Sequence, residues 1–367
     1  SWDESAKRAL QAIENNQFIK KIKHDGVSFE TFINGLASLV SSYSDEDLKK
    51  LSQYLAFNEN QFQQIRKLPN TLHWRIEGPF DSSYSLAMVN REISLALSKL
   101  GHDVSLHSTE GTGDFEPNID FLNAHSQIKD LYLKSKLSGE MDVVSRNLYP
   151  PRVSHMNGLV NLLHNYAWEE TGFPHAWIDE FNVHLHGLSV TSEYVKKVFI
   201  DNGYIGAIAS TGNGSDHWLN IQSDKNYLLP ASTKEFKFLH VSSCFPRKGV
   251  DVLLKAYGKA FSNKDNVTLI IKTFKNPHNE IHTWLQEQKK ENKNYPDIGI
   301  IEEDLSNEKL KALYEQCDCL VGPSRAEGFG LPFAEAMLSG LPVITTGWGG
   351  QLDICNQDTS WLIDYTF

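Results

Sequence analysis

Twice along the chain, short apolar runs alternate with amphipathic stretches, and no other feature narrows the possible folds as far. From Leu72 the order is "LHWRIEG", a helical stretch over about 85–100, then "HDVSLHS" after the turn glycine Gly101, with "DVVSRN", "GLVNLLHN", "LHGLSVTS" and "IGAIAST" further on. From Phe236 the alternation restarts. "FKFLHVSS" is followed by a helical stretch over about 250–261, "VTLIIKT", "IGIIEE", a second helical stretch over about 306–316, "CDCLVGPS" and "LPVITT". Strand, loop, helix, strand in this order predicts an α/β fold with two parallel-sheet, Rossmann-like domains, because parallel strands need helical crossovers. Such sheets bind ligands in loops at the carboxyl ends of their strands. The expected division is a helical appendage over 1–70, a first domain over 71–225 and a second over 226–367, with the polar stretch 219–234 as the linker.

Residues 1–70 show helical spacing, as in Phe29, Phe32, Ile33 and Leu36, and almost no glycine or proline after Gly35. Within them Asp45-Glu46-Asp47 matches the Asp-x-Asp of metal-dependent sugar transferases. A plainer reading is preferred: Ser44 caps a helix, and the acids fill its first turn, where the helix dipole favours them. No metal site is expected.

The 367 residues carry a formal net charge of −11, which argues against nucleic acid as a partner; an anionic ligand must be met by a local basic spot. Four cysteines, Cys244, Cys317, Cys319 and Cys355, fit neither a disulfide framework nor a zinc site, and point to a reducing cytoplasm. No apolar run approaches ~18 residues, so no spanning helix is expected, while peripheral contact with the inner membrane face stays open.

The stretch "SRAEGFGLPFAEAML" over 324–338 is the densest in chemistry. Pro332 fits a helix start and Gly340 its stop, so the helix presents its amino end where the strand before it ends. Gly328 and Gly330 let backbone approach a ligand, and the amides of the first turn form an anion site. Glu327 and Glu335 can flank that site. Carboxylates beside a bound anion make sense if they hold something neutral, such as sugar or ribose hydroxyls. Arg247 and Lys248, in "SSCFPRKGVDVLL", occupy another strand-to-helix turn and can neutralise a diphosphate.

These motifs in order, "PRKGVDVLLKAY", "LYEQCDCLVGPS", "EGFGLPFAEAM" and "GLPVITT", resemble the retaining GT-B glycosyltransferases (glycosyl transferases group 1), which include bacterial mannosyltransferases and glycogen-synthase-like enzymes. The resemblance is strong over about 236–355 and weaker over 71–217. It implies a GT-B fold and a metal-independent hexosyltransferase using a nucleotide-sugar donor, with no cofactor. Mannose from GDP-mannose is the first expectation, and the acceptor is a glycan or lipid-linked glycan of a bacterial surface polysaccharide such as O-antigen.

By the same resemblance Glu335 binds the ribose, Glu327 the donor sugar, and the amides of Gly328, Phe329, Gly330 and Leu331 hold phosphate and sugar. Lys248, with Arg247, meets the diphosphate. Gly78, after the first strand, approaches donor phosphate and acceptor. His164 fits a histidine that contacts the donor sugar; equally, it fits a core histidine bonded to its surroundings. Tyr166, Trp168, Glu169 and Trp177 can line an acceptor groove, though the tryptophans also suit a core.

Two features depart from the family pattern. Ser242 and Ser243 stand where an arginine is common, and the sequence stops at Phe367 where relatives continue with further helices, so the chain is expected to be a fragment or a shortened relative. Residues 1–70 are expected to dock on a membrane or an adjoining module. A nucleotide-dependent oxidoreductase or epimerase is the alternative, weakened because Gly111-Thr112-Gly113 lacks the third glycine of a dinucleotide loop. A noncatalytic glycan-binding relative is the other.

Overall fold

The computed structural model describes residues 71–367, apart from Ser83, Ser138, Ala231 and Ser232, together with Glu4. The appendage over 1–70, with its Asp-x-Asp, lies outside the described residues.

In the first unit the order is β1 (His73–Glu77), α1 (Ser85–Lys99), β2 (Asp103–His107), the short β3 (Thr109–Glu110) and β4 (Gly113–Asp114), α2 (Ile119–Ala124), α3 (Ser126–Ser135), β5 (Val143–Arg146), β6 (Val160–Tyr166), α4 (His175–His184), β7 (Gly187–Val190), α5 (Glu193–Asp201) and β8 (Ile208–Ser210). Six strands form one parallel sheet in the order β2-β1-β5-β6-β7-β8. All seven residues of β6 are buried, as expected of a central strand covered on both faces. Helix α1 closes one face through Val89, Ile93, Ala96 and Leu97, at helical spacing, against Trp74, Ile76 and Val104.

The second unit holds α6 (His217–Asn220), β9 (Phe236–Val241), a 3₁₀ turn (Pro246–Lys248), α7 (Val250–Ala260), β10 (Val267–Lys272), α8 (Ile281–Glu291), β11 (Asp297–Ile301), α9 (Asn307–Glu315), β12 (Cys319–Gly322), α10 (Leu331–Leu338), β13 (Val343–Thr346), a second 3₁₀ turn (Gly350–Asp353) and β14 (Trp361–Ile363). Its sheet is also parallel, in the order β11-β10-β9-β12-β13-β14. Alternate strand residues serve opposite faces. Leu239, Ile270 and Leu320 pack with Leu313 of α9 and Phe333 of α10, whereas Leu269, Ile271 and Val321 pack with Leu253, Leu254 and Tyr257 of α7.

Where the chain passes between units differs from the sequence expectation. The division falls after Gly214 rather than at 225, and Trp168–Glu170 group with the second unit. The cause is a single large residue: Trp218 of α6 is buried against Tyr314, ring centroids 5.1 Å apart, and donates its indole N–H to Ser339 at 2.8 Å. Ile221, Tyr227 and Leu229 pack on the same cluster, so much of the expected linker is part of the second unit's core.

Among the described residues no helix is long and apolar enough to cross a membrane. All four cysteines are buried free thiols.

Candidate functional site

In both sheets the strand order reverses at one point, between β1 and β5 in the first and between β9 and β12 in the second. Loops leaving the carboxyl ends of such strands diverge to opposite faces and leave a crevice. Of the residues singled out in the sequence, Gly78, Arg247, Lys248 and the stretch from Glu327 to Gly330 lie on these loops, whereas Glu335 lies in α10, His164 and Tyr166 within β6, and Trp177 in α4.

In the second unit the strands at the reversal separate early. β9 and β12 are paired only at Phe238 with Cys319 and Leu239 with Leu320. Beyond that His240 bridges them, its Nδ1 donating to the Val321 carbonyl at 2.7 Å. Because a carbonyl only accepts, the proton sits on Nδ1, and Nε2 accepts the Ser242 hydroxyl at 2.7 Å. Burial pushes His240 down to about 4, so it stays neutral near pH 7. Ser242, standing where an arginine was looked for, spends its only proton on His240 and accepts the Cys244 amide at 3.0 Å.

Lys248 and Glu327 meet in this opening. The Lys248 Nζ lies 2.6 Å from Glu327 Oε1, Ser324 donates to the same oxygen at 2.7 Å, and Arg247 Nη1 stands 3.6 Å from Oε2. Burial alone would raise the Glu327 carboxyl, but Lys248 and Arg247 outweigh it and, with the Lys248 and Ser324 hydrogen bonds, hold it below the usual carboxylate range. Arg247 also donates to the Ala326 carbonyl at 3.0 Å and pairs with Glu169 at 3.1 Å. Arg247, Lys248, Glu169 and Glu327 are therefore two cations and two anions. A void of about 10 Å³, water-sized, lies among His240, Ser242, Lys248, Ser324, Glu327 and Pro332.

The amino end of α10 supplies what that neutral group lacks. Gly330 is its N-cap at φ 87°, and an added Cβ would stand 2.5 Å from the Phe333 ring, so the turn excludes other residues. Among the described residues the backbone amides of Phe329, Gly330 and Leu331 donate to no protein acceptor, although Phe329 is buried. Consecutive unpaired amides at a helix start, half withdrawn from water, form an anion site.

Glu335 lies one turn into α10. It is buried, accepts the Tyr314 hydroxyl at 3.1 Å, and burial, with that bond acting against it, raises its carboxyl to about 7. Glu327 and Glu335 thus have opposed protonation tendencies, one held as an anion and the other poised to titrate.

In the first unit Gly78 stands at the reversal point at φ 158°, and a Cβ there would lie 2.3 Å from both the Asn147 carbonyl and the Asn90 amide nitrogen. The close approach is to the protein's own chain. Asn90 Nδ2 donates to the carbonyls of Pro79 and Asn147 at 2.8 and 2.9 Å, tying together the loops after β1 and β5. Its Oδ1 therefore accepts, and His164 Nε2 donates to it at 2.8 Å, while the Ser145 hydroxyl donates to His164 Nδ1 at 2.7 Å. Both ring nitrogens of His164 are spent and burial pushes it down to about 3, so the core-histidine alternative describes its position.

Of the expected acceptor residues, Tyr166 is buried with its ring edge-on to Phe181 and Phe199, centroids 6.4 and 6.0 Å away, which removes it from a groove wall. Trp168 and Glu169 are half-buried and belong to the second unit, not the first. Trp177 is half-buried on α4, edge-on to Phe173 and Tyr149.

Sequence reasoning missed His240, and it missed Arg325, whose guanidinium grips Asp251 of α7 at 2.9 and 2.8 Å and whose amide donates to the Arg247 carbonyl at 2.7 Å. That pair fixes the turn bearing Arg247 and Lys248 to the loop bearing Glu327. An arginine directly before "AEGFG" was the available signal.

Residues 227–365 match the Glycosyl transferases group 1 family. A sucrose synthase from Melioribacter roseus is 29% identical over 119 residues; the match takes in 29% of this chain and 15% of that protein, a small part of its length. A sucrose-phosphate synthase from Thermosynechococcus elongatus shares the fold with a TM-score of 0.57 at 16% identity, over 79% of this chain and 85% of that one. A glycosyltransferase from Rickettsia africae does so with a TM-score of 0.58 at 18% identity, over 81% and 85%. The architecture is the GT-B fold, two Rossmann-like parallel-sheet domains.

Proposed function

We propose that this chain is a glycosyltransferase that takes a sugar from a nucleotide-diphosphate donor held by the second unit and passes it to a glycan acceptor. The observation that carries this reading is the run of unpartnered amides from Phe329 to Leu331 beside the Lys248–Glu327 pair, at the strand reversal of a glycosyl transferases group 1 domain. An anion suits the amides, and a hydroxyl-bearing ring suits the carboxylates. A sugar diphosphate carries both.

In this reading the bond from the sugar's anomeric carbon to the diphosphate breaks and a bond to the acceptor oxygen forms on the same face, retaining configuration. The acceptor proton passes to a departing phosphate oxygen. Lys248 and Arg247, neutralised by Glu327 and Glu169 in the unliganded protein, turn part of their charge to the growing anion. A well-placed donor of this kind supplies about 3–4 kcal/mol. No metal is needed for that charge. His164, buried with both nitrogens engaged, would act by holding Asn90 and the loops after β1 and β5. GDP-mannose is the first donor to try, and a bacterial surface polysaccharide the first setting.

A panel of nucleotide diphosphates and nucleotide sugars, screened by thermal shift and then by donor hydrolysis and transfer, tests the proposal. One donor should stabilise the protein, by about 2.7 kcal/mol at 100 times its Kd. Binding without hydrolysis or transfer would favour the noncatalytic reading, and absence of any nucleotide binding would refute the proposal.

A further inference from the structure

A second cavity, of about 240 Å³, lies wholly within the first unit, lined by Pro151, Arg152, Val153, Ser154, His155, Trp177, Glu180 and Phe181. It opens on the loop that follows β5, at the ligand-binding end of that sheet. Its size falls below the roughly 300–1,000 Å³ of drug-sized sites and suits one sugar unit.

The charge of this loop is unbalanced. Glu77 at the end of β1 is buried and taken by Arg146, whose Nε donates to it at 2.7 Å, with Arg75 Nε 3.0 Å away. Arg146 also donates through Nη1 to the Arg152 carbonyl, which pins the loop. Arg152 itself pairs with no carboxylate among the described residues. It donates to Thr109 Oγ1 at 2.7 Å, shares His155 Nε2 with Arg146 at 3.3 and 3.4 Å, and its buried Nε has no partner. A ring nitrogen that accepts from two guanidiniums carries no proton, so His155 is neutral there. Asp114, the other nearby acid, is held by His107 at 3.0 Å, and Glu180 lies at the solvent side, 3.5 Å from His184.

From this geometry we infer that the cavity binds an acidic sugar unit, its carboxylate or phosphate seated on Arg152 and its ring against Trp177 and Phe181. A guanidinium fork is the side chain best matched to either anion, and Thr109 and His155 hold this one in place beforehand, on a loop pinned by Arg146. Ser154 and Glu180 remain for ring hydroxyls. The inference rests on the glycosyltransferase reading for its meaning, since it makes the acceptor an acidic glycan, but the cavity and the donor site belong to different units.

Calorimetric titration of the full chain with glucuronate, glucose 6-phosphate and glucose, and separately with UDP and GDP, tests it. At least one acidic sugar should bind 10-fold or more tighter than glucose, and the tighter of the two identifies carboxylate or phosphate as the anion. That preference should fade as sodium chloride is raised. Arg152→Gln should abolish it and Arg152→Lys keep part of it, with nucleotide affinity unchanged in both. Equal binding of glucose and both acids, or a preference that survives Arg152→Gln or high salt, overturns the inference. Should Arg152→Gln fail to fold, the salt series on the unaltered protein decides alone. Loss of nucleotide binding in the unaltered protein would instead count against the donor site.

Discussion

Lys248 and Glu327, 79 residues apart in the chain, meet at 2.6 Å at the strand reversal of the second sheet, where Glu327 is buried and Lys248 keeps 13% of its side chain exposed. A buried pair of this kind is costly to break from one side, because the survivor keeps its charge without a partner; losses of about 3–5 kcal/mol are typical. Lys248→Ala should therefore lower stability by roughly that range, softened by Arg247 and Ser324. Lys248→Ala with Glu327→Gln should recover much of it. Denaturant unfolding of the two single variants and the double variant checks this, and strictly additive effects would mean the pair is not coupled.

The same lysine should matter more to rate than to binding. If Lys248 meets charge that grows as the diphosphate departs, its removal lowers kcat by about 10²–10³-fold with a smaller change in donor KM. Arg247 already divides itself among Glu169, Glu327 and the Ala326 carbonyl, so Arg247→Ala should be milder. Steady-state kinetics at saturating acceptor decides, and a Lys248→Ala enzyme altered only in KM would rule out the leaving-group role.

Much of this arrangement can be read from the sequence, and what cannot has a physical reason. Strands buried on both faces appear as short apolar runs, so "VTLII" announces itself, and the rule that ligands bind beyond the carboxyl ends of strands brings the turn of Lys248 and the loop of Glu327 to the same sheet edge. Partnerships across long loops carry no such signature. The Asn90 to His164 bond and the Arg325 to Asp251 pair each join residues 74 apart. Trp218 shows the opposite failure: one buried indole in a polar stretch turned an apparent linker into core.

Metal dependence offers another check. With Lys248, Arg247 and the amides of Phe329 to Leu331 available to a diphosphate, transfer should survive excess EDTA. Complete loss with chelator, restored by manganese or magnesium, would show that the charge is met by an ion instead.

The last prediction turns on Glu335. Its carboxyl is raised from 4.5 to about 7 by burial, against the opposing Tyr314 bond. Between those values the folded chain holds a proton that the unfolded chain has released, so stability falls as pH rises through this window and the full cost is present above it. The shift corresponds to at most about 3 kcal/mol. Glu335→Gln removes the titration and keeps the shape, so its stability relative to the parent should rise by about 1–3 kcal/mol between pH 5 and pH 8. Donor binding should move the other way: if ribose hydroxyls donate to the carboxylate, nucleotide affinity of the parent rises from pH 6 to 8, while that of Glu335→Gln stays flat and weaker. Unfolding and nucleotide titrations across pH 5–8 measure both. Parallel stability curves would show that Glu335 does not titrate there, and parallel affinity curves that it does not bind the ribose.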